Sequence, residues 1–350
     1  VGVVAAVVPW NAEMFLTATK VGPALAAGNT VVIKASEIAP APLLAFARVI
    51  DEVGFPPGVV NLITGFGEPC GRALTSHPMV DKVAFTGGVE TARQVVANTV
   101  HNLAPVTLEL GGKSPILVFD DADFESAVNG AVAGNFGASG QSCVAGSRVF
   151  VQSGIHDEFV AEVVRHAEQI RIGDPLADDT QMGPLATVAQ RDRIEDVVAE
   201  STAQGATLRT GGCRPEGLDA GWYYRPTVLS CPDQNIRSTR VELFGPVMSV
   251  LRFDTEDEAV AMANDTEFGL GAGIFTPDVS RVHRVSKAIR SGIIWVNTYR
   301  AVSPIAPFGG FGNSGSGREA GMDAIHEFTT TKTVWINTST EPMANPFTIR

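Results

Sequence analysis

Cys143 stands in Gly140-Gln141-Ser142-Cys143-Val144-Ala145-Gly146-Ser147-Arg148, a run of small residues after a helix-like stretch. Small neighbours leave room for a ligand and let a backbone amide approach the sulfur. A thiolate is a strong nucleophile and a carbonyl carbon is its natural target, so this segment can carry covalent acyl chemistry. The plain alternative is a small apolar core residue. Cys70, Cys213 and Cys231, which lack such surroundings, are assigned to it. A cysteine nucleophile needs a proton acceptor and a stabiliser for the oxyanion. His77, His101, His156, His166, His283 and His326 read as solvated helix or loop positions, which gives a Cys–His protease arrangement little support. Glu109 fits better: it ends an otherwise apolar strand, where a carboxylate is costly. Asn11 follows Pro9-Trp10 at the end of the first strand. Its amide can donate to developing negative charge, or cap the helix that follows.

The elements that must position these residues alternate along the chain. Apolar runs at 3–8, 30–34, 59–63, 82–86 and 106–110 read as strands, separated by helical stretches. Pro40 or Pro42 can open one of those helices and Gly54 can close it. This alternation predicts a five-stranded, Rossmann-like parallel sheet, with ligands at the carboxyl ends of its strands. Beyond Gly112, helices are expected at 123–136, 155–171, 192–204 and 257–264, and strands at 207–212, 222–229, 247–253 and 292–297. The expected organisation is α/β throughout. A dinucleotide-binding domain spans 1–112, and a second α/β catalytic domain spans 113–326, its last part returning toward the first. Residues 327–350 form a tail whose segment 331–337 alternates like an edge strand and suits subunit pairing.

Composition narrows the function classes. Hydrophobic residues make up 45% and charged residues 18% of the 350, as expected of a globular enzyme. A net charge of -12 argues against nucleic acid as a partner. No apolar run is long enough for a membrane helix. Four scattered cysteines without C-x-x-C spacing predict free thiols, no metal site and a reducing, cytoplasmic location. The chain opens on an apolar strand without an initiator Met, so a preceding segment of the natural protein is expected, and with it greater stability or activity.

Seven segments, in order, resemble the aldehyde dehydrogenase superfamily: Pro9-Trp10-Asn11, Lys34-Ala35-Ser36-Glu37, Phe85-Thr86-Gly87-Gly88, Leu108-Glu109-Leu110-Gly111-Gly112-Lys113, Gly140-Gln141-Ser142-Cys143, Glu242-Leu243-Phe244-Gly245-Pro246 and Pro307-Phe308-Gly309-Gly310. The resemblance implies oxidation of a small-molecule aldehyde to the acid. Cys143 attacks the carbonyl, Asn11 and the Cys143 amide hold the oxyanion, and Glu109 activates water against the thioester. Lys20 and Glu319 form a proton-relay pair behind Glu109. It implies a cofactor, NAD with NADP as the alternative, bound by Trp10, Lys34, Glu37, Gly67, Phe85, Gly87, Gly88, Glu242 and Phe244. Glu37 leans toward NAD, because a carboxylate binds ribose hydroxyls and repels a 2′-phosphate. A homodimer or homotetramer is implied as well. Ala12, Leu16, Thr19, Ser142 and Val144 are the expected aldehyde-tunnel residues, with Arg300 a candidate for an anionic substrate group. The chain departs from the family pattern at Ala35, Gly88, Ala92 and Gly312. A CoA-acylating relative is disfavoured by Glu109. A cysteine hydrolase would not need Lys34, Glu37 or Glu242, and a non-catalytic relative would not need the set Asn11, Glu109 and Cys143.

Overall fold

Short apolar runs that pair on both edges pack into sheets buried on both faces, and helices between them cover those faces. The computed structural model describes residues 1–348. Strands β1 (Val3–Val7), β2 (Thr30–Lys34), β3 (Val60–Ile63), β4 (Lys82–Thr86) and β5 (Val106–Glu109) are mutually parallel where they pair. They alternate with α1 (Glu13–Ala26), α2 (Ala41–Val53), α3 (Arg72–Thr75) and α4 (Val89–Asn98). Pro40 precedes α2 and Gly54 closes it at φ 83°, a left-handed stop that glycine adopts without strain. The second half contributes β6 (Pro115–Val118), β7 (Arg148–Gln152), β8 (Thr207–Thr210), β9 (Thr227–Ser230), β10 (Val247–Phe253), β11 (Gly271–Phe275) and β12 (Ile293–Val296). Its helices are α5 (Phe124–Phe136), α6 (His156–Gln169), α7 (Val188–Ala203), α8 (Arg237–Arg240), α9 (Glu256–Asn264) and α10 (Val279–Ala288). A last short strand, β13 (Gly315–Ser316), returns to the first sheet.

The first sheet runs β13-β5-β4-β1-β2-β3 and the second β12-β11-β6-β7-β10-β9-β8. The sequence predicts the five parallel strands of the first sheet and misses the sixth, because a two-residue glycine-serine strand has no periodicity to read. It also misses β6, β7 and β11. β6 begins on a proline, and β11 carries Gly271 and Gly273, which look like turn residues. Both glycines are required by packing: a Cβ at Gly271 would meet the Trp295 ring at 2.9 Å, and one at Gly273 the Tyr299 ring at 2.8 Å. The strand expected over 222–229 pairs only at Thr227–Ser230. The helix expected from 192 begins at Val188, because the Thr187 hydroxyl accepts from the Gln190 amide and caps it.

Segment 331–337 forms no strand in this chain, and Val334, Trp335 and Ile336 stand 69%, 93% and 78% exposed. A strand needs a ladder partner, and within the chain this segment has none among the described residues. Residues 349 and 350 of the expected tail lie outside the described residues.

For the site, the order β5-β4-β1-β2 matters most. It sets the carboxyl ends of four parallel strands side by side, and these carry Glu109, Thr86-Gly87-Gly88, Trp10-Asn11 and Lys34. The Gly87 amide donates to the Glu109 carbonyl at 3.2 Å, so the two loops leave the sheet together. β13 pairs antiparallel with β5, placing Gly315 opposite Glu109.

Candidate functional site

The Cys143 loop begins where α5 ends. Ala138, Ser139 and Gly140 all take left-handed backbone, at φ 56°, 54° and 69°. Two of them carry side chains, so the turn is strained and must be held. The Ser139 hydroxyl donates to the Gly183 carbonyl at 3.0 Å, and the Gln141 side-chain oxygen accepts from the Ala186 amide at 3.0 Å. Gly140 presses on the next part of the site: a Cβ there would lie 2.2 Å from the Gly245 carbonyl. Gly140→Ala is therefore expected to destabilise the protein by about 2–4 kcal/mol through overpacking and left-handed strain. Denaturant unfolding measures that loss, and a midpoint within error of wild type would refute this packing. The loop presents a partly exposed Cys143 to a cavity of about 210 Å³. Burial, reinforced by the negative charges of Glu242 and Glu109, pushes its thiol up to about 12. The resting sulfur is a protonated thiol that needs a base.

Glu109 lines the same cavity, is only 3% exposed, and neither carboxyl oxygen has a hydrogen-bond partner among the described residues. Burial first, and the negative charge of Glu319 second, hold its carboxyl well above the usual range. Room for it comes from Gly309, where a Cβ would approach Oε1 to 2.7 Å. Asn11 lines the cavity too, and its Nδ2 donates to the Gln141 carbonyl at 3.2 Å. An amide nitrogen has two hydrogens, so one remains for an oxyanion above Cys143. Behind Glu109, Lys20 Nζ donates to Glu319 Oε1 and to Thr86 Oγ1, each at 2.5 Å. Lys20 is fully buried and Glu319 is 3% exposed.

A second cavity of about 710 Å³ continues along the strand ends, lined by Trp10, Lys34, Glu37, Gly67, Phe85, Gly87 and Gly88. Lys34 Nζ and Glu37 Oε2 pair at 2.9 Å. Against the opposing effect of burial, a backbone hydrogen bond and Lys34 hold the Glu37 carboxyl below its usual range. Gly88 precedes α4 in extended backbone with no side chain capping the helix, so its first amides are open to an anion such as pyrophosphate. A Cβ at Gly87 would meet the Phe85 ring at 2.5 Å, whereas Gly88 faces open space. A long cleft with the Glu37 carboxylate at one end and a bare helix terminus in the middle has the polarity and length to take a dinucleotide.

Glu242 and Phe244 close the Cys143 cavity from the second domain. The Gly112 amide donates to Glu242 Oε1 at 3.1 Å, and the carboxylate rests where a Gly111 Cβ would be. Burial raises that carboxyl to about 7. Phe244 sits at φ 54° with its ring edge-on to Trp10 at 5.4 Å. Two residues of α7 that the sequence reading missed hold this turn. The Gln190 amide donates to the Leu243 and Phe244 carbonyls, and Arg193 to the Glu242 carbonyl at 2.9 Å. Thr86 was missed as well. Hydrogen bonds spanning 50 residues leave no local signal.

All twelve residues expected at the catalytic and cofactor positions line one or both cavities. Of the expected tunnel residues, Leu16 and Thr19 face a third, apolar cavity of about 360 Å³ with Phe15, Val302 and Phe308, and Leu16 also lines the Cys143 cavity. Val144 packs instead with Leu270 and Trp295. Arg300 turns to Ala133 in the last turn of α5, 3.4 Å from its carbonyl, so its charge complements that helix end.

A model of the aldehyde dehydrogenase family matches residues 1–334. The chain is 56% identical to (Z)-2-((N-methylformamido)methylene)-5-hydroxybutyrolactone dehydrogenase of Acinetobacter baylyi, a match covering 100% of this chain and 72% of that protein. It is 46% identical to betaine aldehyde dehydrogenase of Brucella anthropi, over 96% of this chain and 69% of the relative. The crystal structure of PnpE from Pseudomonas sp. WBC-3 superposes with a TM-score of 0.96 at 45% identity, covering 99% of this chain and 71% of that one. PnpE has also been solved in complex with nicotinamide adenine dinucleotide.

Proposed function

The chain belongs to the aldehyde dehydrogenase family and is an NAD(P)-dependent enzyme, and on that premise we propose that it oxidises its aldehyde covalently on Cys143, with NAD as its cofactor. The observation that carries this reading is the shared wall between cavities. Cys143, Glu109 and Asn11 converge on one cavity, and Trp10, Gly87 and Gly88 line both it and the long cleft. A reacting carbon at Cys143 then lies beside one end of a dinucleotide held along the strand ends.

Glu109 takes the thiol proton, and the sulfur attacks the aldehyde carbon. The Asn11 amide and the Cys143 backbone N–H hold the resulting oxyanion. NAD, when bound, supplies the hydride acceptor through which the thiohemiacetal on Cys143 becomes a thioester. Glu242 and Phe244 orient the nicotinamide end of the cofactor; Lys34 and Glu37 hold the adenosine end. Once its first proton has left through Lys20 and Glu319, Glu109 removes a proton from water. The hydroxide adds to the thioester, the C–S bond breaks, and the acid departs.

Cofactor choice rests on Glu37. Glu37→Gln removes the charge that would repel a 2′-phosphate and is expected to raise kcat/KM with NADP relative to NAD about tenfold. Steady-state rates with both cofactors measure that ratio, and an unchanged ratio places discrimination elsewhere.

The apolar cavity behind Leu16 favours an uncharged aldehyde with a bulky apolar or ring-bearing body. The 56% identical relative is named for an uncharged ring compound, which supports this choice over a betaine-type cation. Following NADH absorbance across neutral, cationic and carboxylate-bearing aldehydes tests the reading. The highest kcat/KM should fall on a neutral member. We assign residues 1–112 to cofactor binding and 113–326 to catalysis, and the 331–337 segment to pairing with another subunit in a dimer or tetramer. No helix among the described residues is long and apolar enough to cross a membrane. Free thiols at all four cysteines support a reducing compartment, and we place the enzyme in the cytoplasm.

A further inference from the structure

Each oxidation frees two protons, one from the thiol and one from water, and both reach Glu109, a carboxyl only 3% exposed. Lys20, whose charge bears on Glu109, pairs with Glu319, also 3% exposed. What hands the proton to solvent there has so far no residue.

Glu319 lines the 360 Å³ cavity beside Thr19. Its two oxygens have separate partners: Oε1 meets Lys20 at 2.5 Å, and Oε2 meets the Thr19 hydroxyl at 3.0 Å. That hydroxyl has a second acceptor within reach, the Leu16 carbonyl at 3.1 Å, one turn back in α1. A hydroxyl has one hydrogen and cannot donate to both, but it can accept while it donates. With Glu319 ionised, Thr19 donates to Oε2. With a proton on Oε2, the carboxyl donates to Thr19 Oγ1, and Thr19 swings its hydrogen to Leu16. Both protonation states of Glu319 are then satisfied without moving a heavy atom, so neither is penalised by an unmet polar group in a buried place.

We propose that Thr19 is a positioning residue for proton release, switching its hydroxyl between Glu319 and Leu16 so that protons from Glu109 pass through Glu319 to water at the partly exposed Thr19. No electrons move in this step; the Glu109 carboxyl, whose oxygens have no partner among the described residues, turns or uses a water to give its proton toward Lys20, the Lys20 ammonium gives one of its own to Glu319 and is refilled by the first, and the proton ends on water beside Thr19. The groups that bear on the path are Lys20 on α1, Thr86 on β4, Glu109 on β5, and Arg318 and Glu327 nearby. The proposal rests on Glu109 being the base.

Thr19→Val keeps the side-chain shape and removes the hydroxyl; Thr19→Ser restores it. With NAD and aldehyde in a stopped-flow instrument, NADH is followed by absorbance and protons by a pH-indicator dye. In Thr19→Val the first-turnover NADH should form normally, while proton release and kcat slow about tenfold. The solvent deuterium isotope effect on kcat should rise, and Thr19→Ser should return both to wild type. A change in KM alone, with kcat and isotope effect unchanged, would show that Thr19 only shapes the aldehyde pocket and would overturn the proposal. Unaltered kinetics would overturn it too. A normal first-turnover NADH signal that Cys143→Ala abolishes leaves the covalent reading intact, so its failure is seen separately from that of Thr19.

Discussion

Cys143→Ala is expected to abolish aldehyde-dependent NADH formation, lowering kcat by a factor of about 10⁴ or more. No neighbour can take over. Ser142 lacks the acidity and Cys231 is buried in another cluster, beneath Leu229 and Ser238. The variant should still bind NAD, because Lys34 and Glu37 line the long cleft and not the Cys143 cavity, and quenching of tryptophan fluorescence can report that binding. The raised thiol makes a companion expectation. Iodoacetamide should label Cys143 slowly at neutral pH and faster as pH rises, since the thiolate is the reactive form. Turnover within a few-fold of wild type in the alanine variant would end the covalent reading.

Glu109→Gln should separate the two halves of the reaction. The amide cannot accept a proton from water, so the thioester forms slowly and then persists. About one NADH per site should appear, followed by turnover reduced about 10²- to 10³-fold, with the acyl group recoverable on Cys143 by mass spectrometry. Hydroxylamine, which attacks thioesters without a base, should restore part of the turnover. In the wild type, the working Glu109 is the deprotonated form and its carboxyl is raised, so kcat should climb with pH above the ordinary carboxylate range. That climb should vanish in the variant. The stability effect has the opposite sense. A carboxyl raised in the folded state keeps its proton where the unfolded chain has lost it, so its contribution is full at low pH and is lost as pH rises through the folded value. The glutamine variant should therefore gain in Tm relative to wild type at pH 9 more than at pH 5. Normal steady-state turnover in Glu109→Gln would refute the assigned role.

The parts legible in the sequence were those whose cause is local. An apolar strand ending in Glu109 stands out because a carboxylate there is costly, and the glycines around Cys143 stand out because they crowd one segment. Gly54 was readable as a helix stop, and it is one. Gly271 and Gly273 were not readable as strand residues, because their reason lies in the Trp295 and Tyr299 rings across the sheet. The same holds for Gln190 and Arg193, whose role is to hold carbonyls near residue 243 from a helix 50 positions earlier. The alternating tail was legible as a strand pattern but not as a strand, since a pattern cannot supply its own partner. Resemblance, not periodicity, placed Lys20 with Glu319, and the buried 2.5 Å contact gives that pairing its physical content.

The pairing of Lys20 with Glu319, and of β5 with β13, spans 299 positions in one case and about three fifths of the chain in the other. During synthesis the thiol of Cys143 is made long before the residues that would empty its base of protons. A nascent chain that stops short of Glu319 carries Cys143 in an unfinished pocket, without the full burial that raises its thiol in the complete fold.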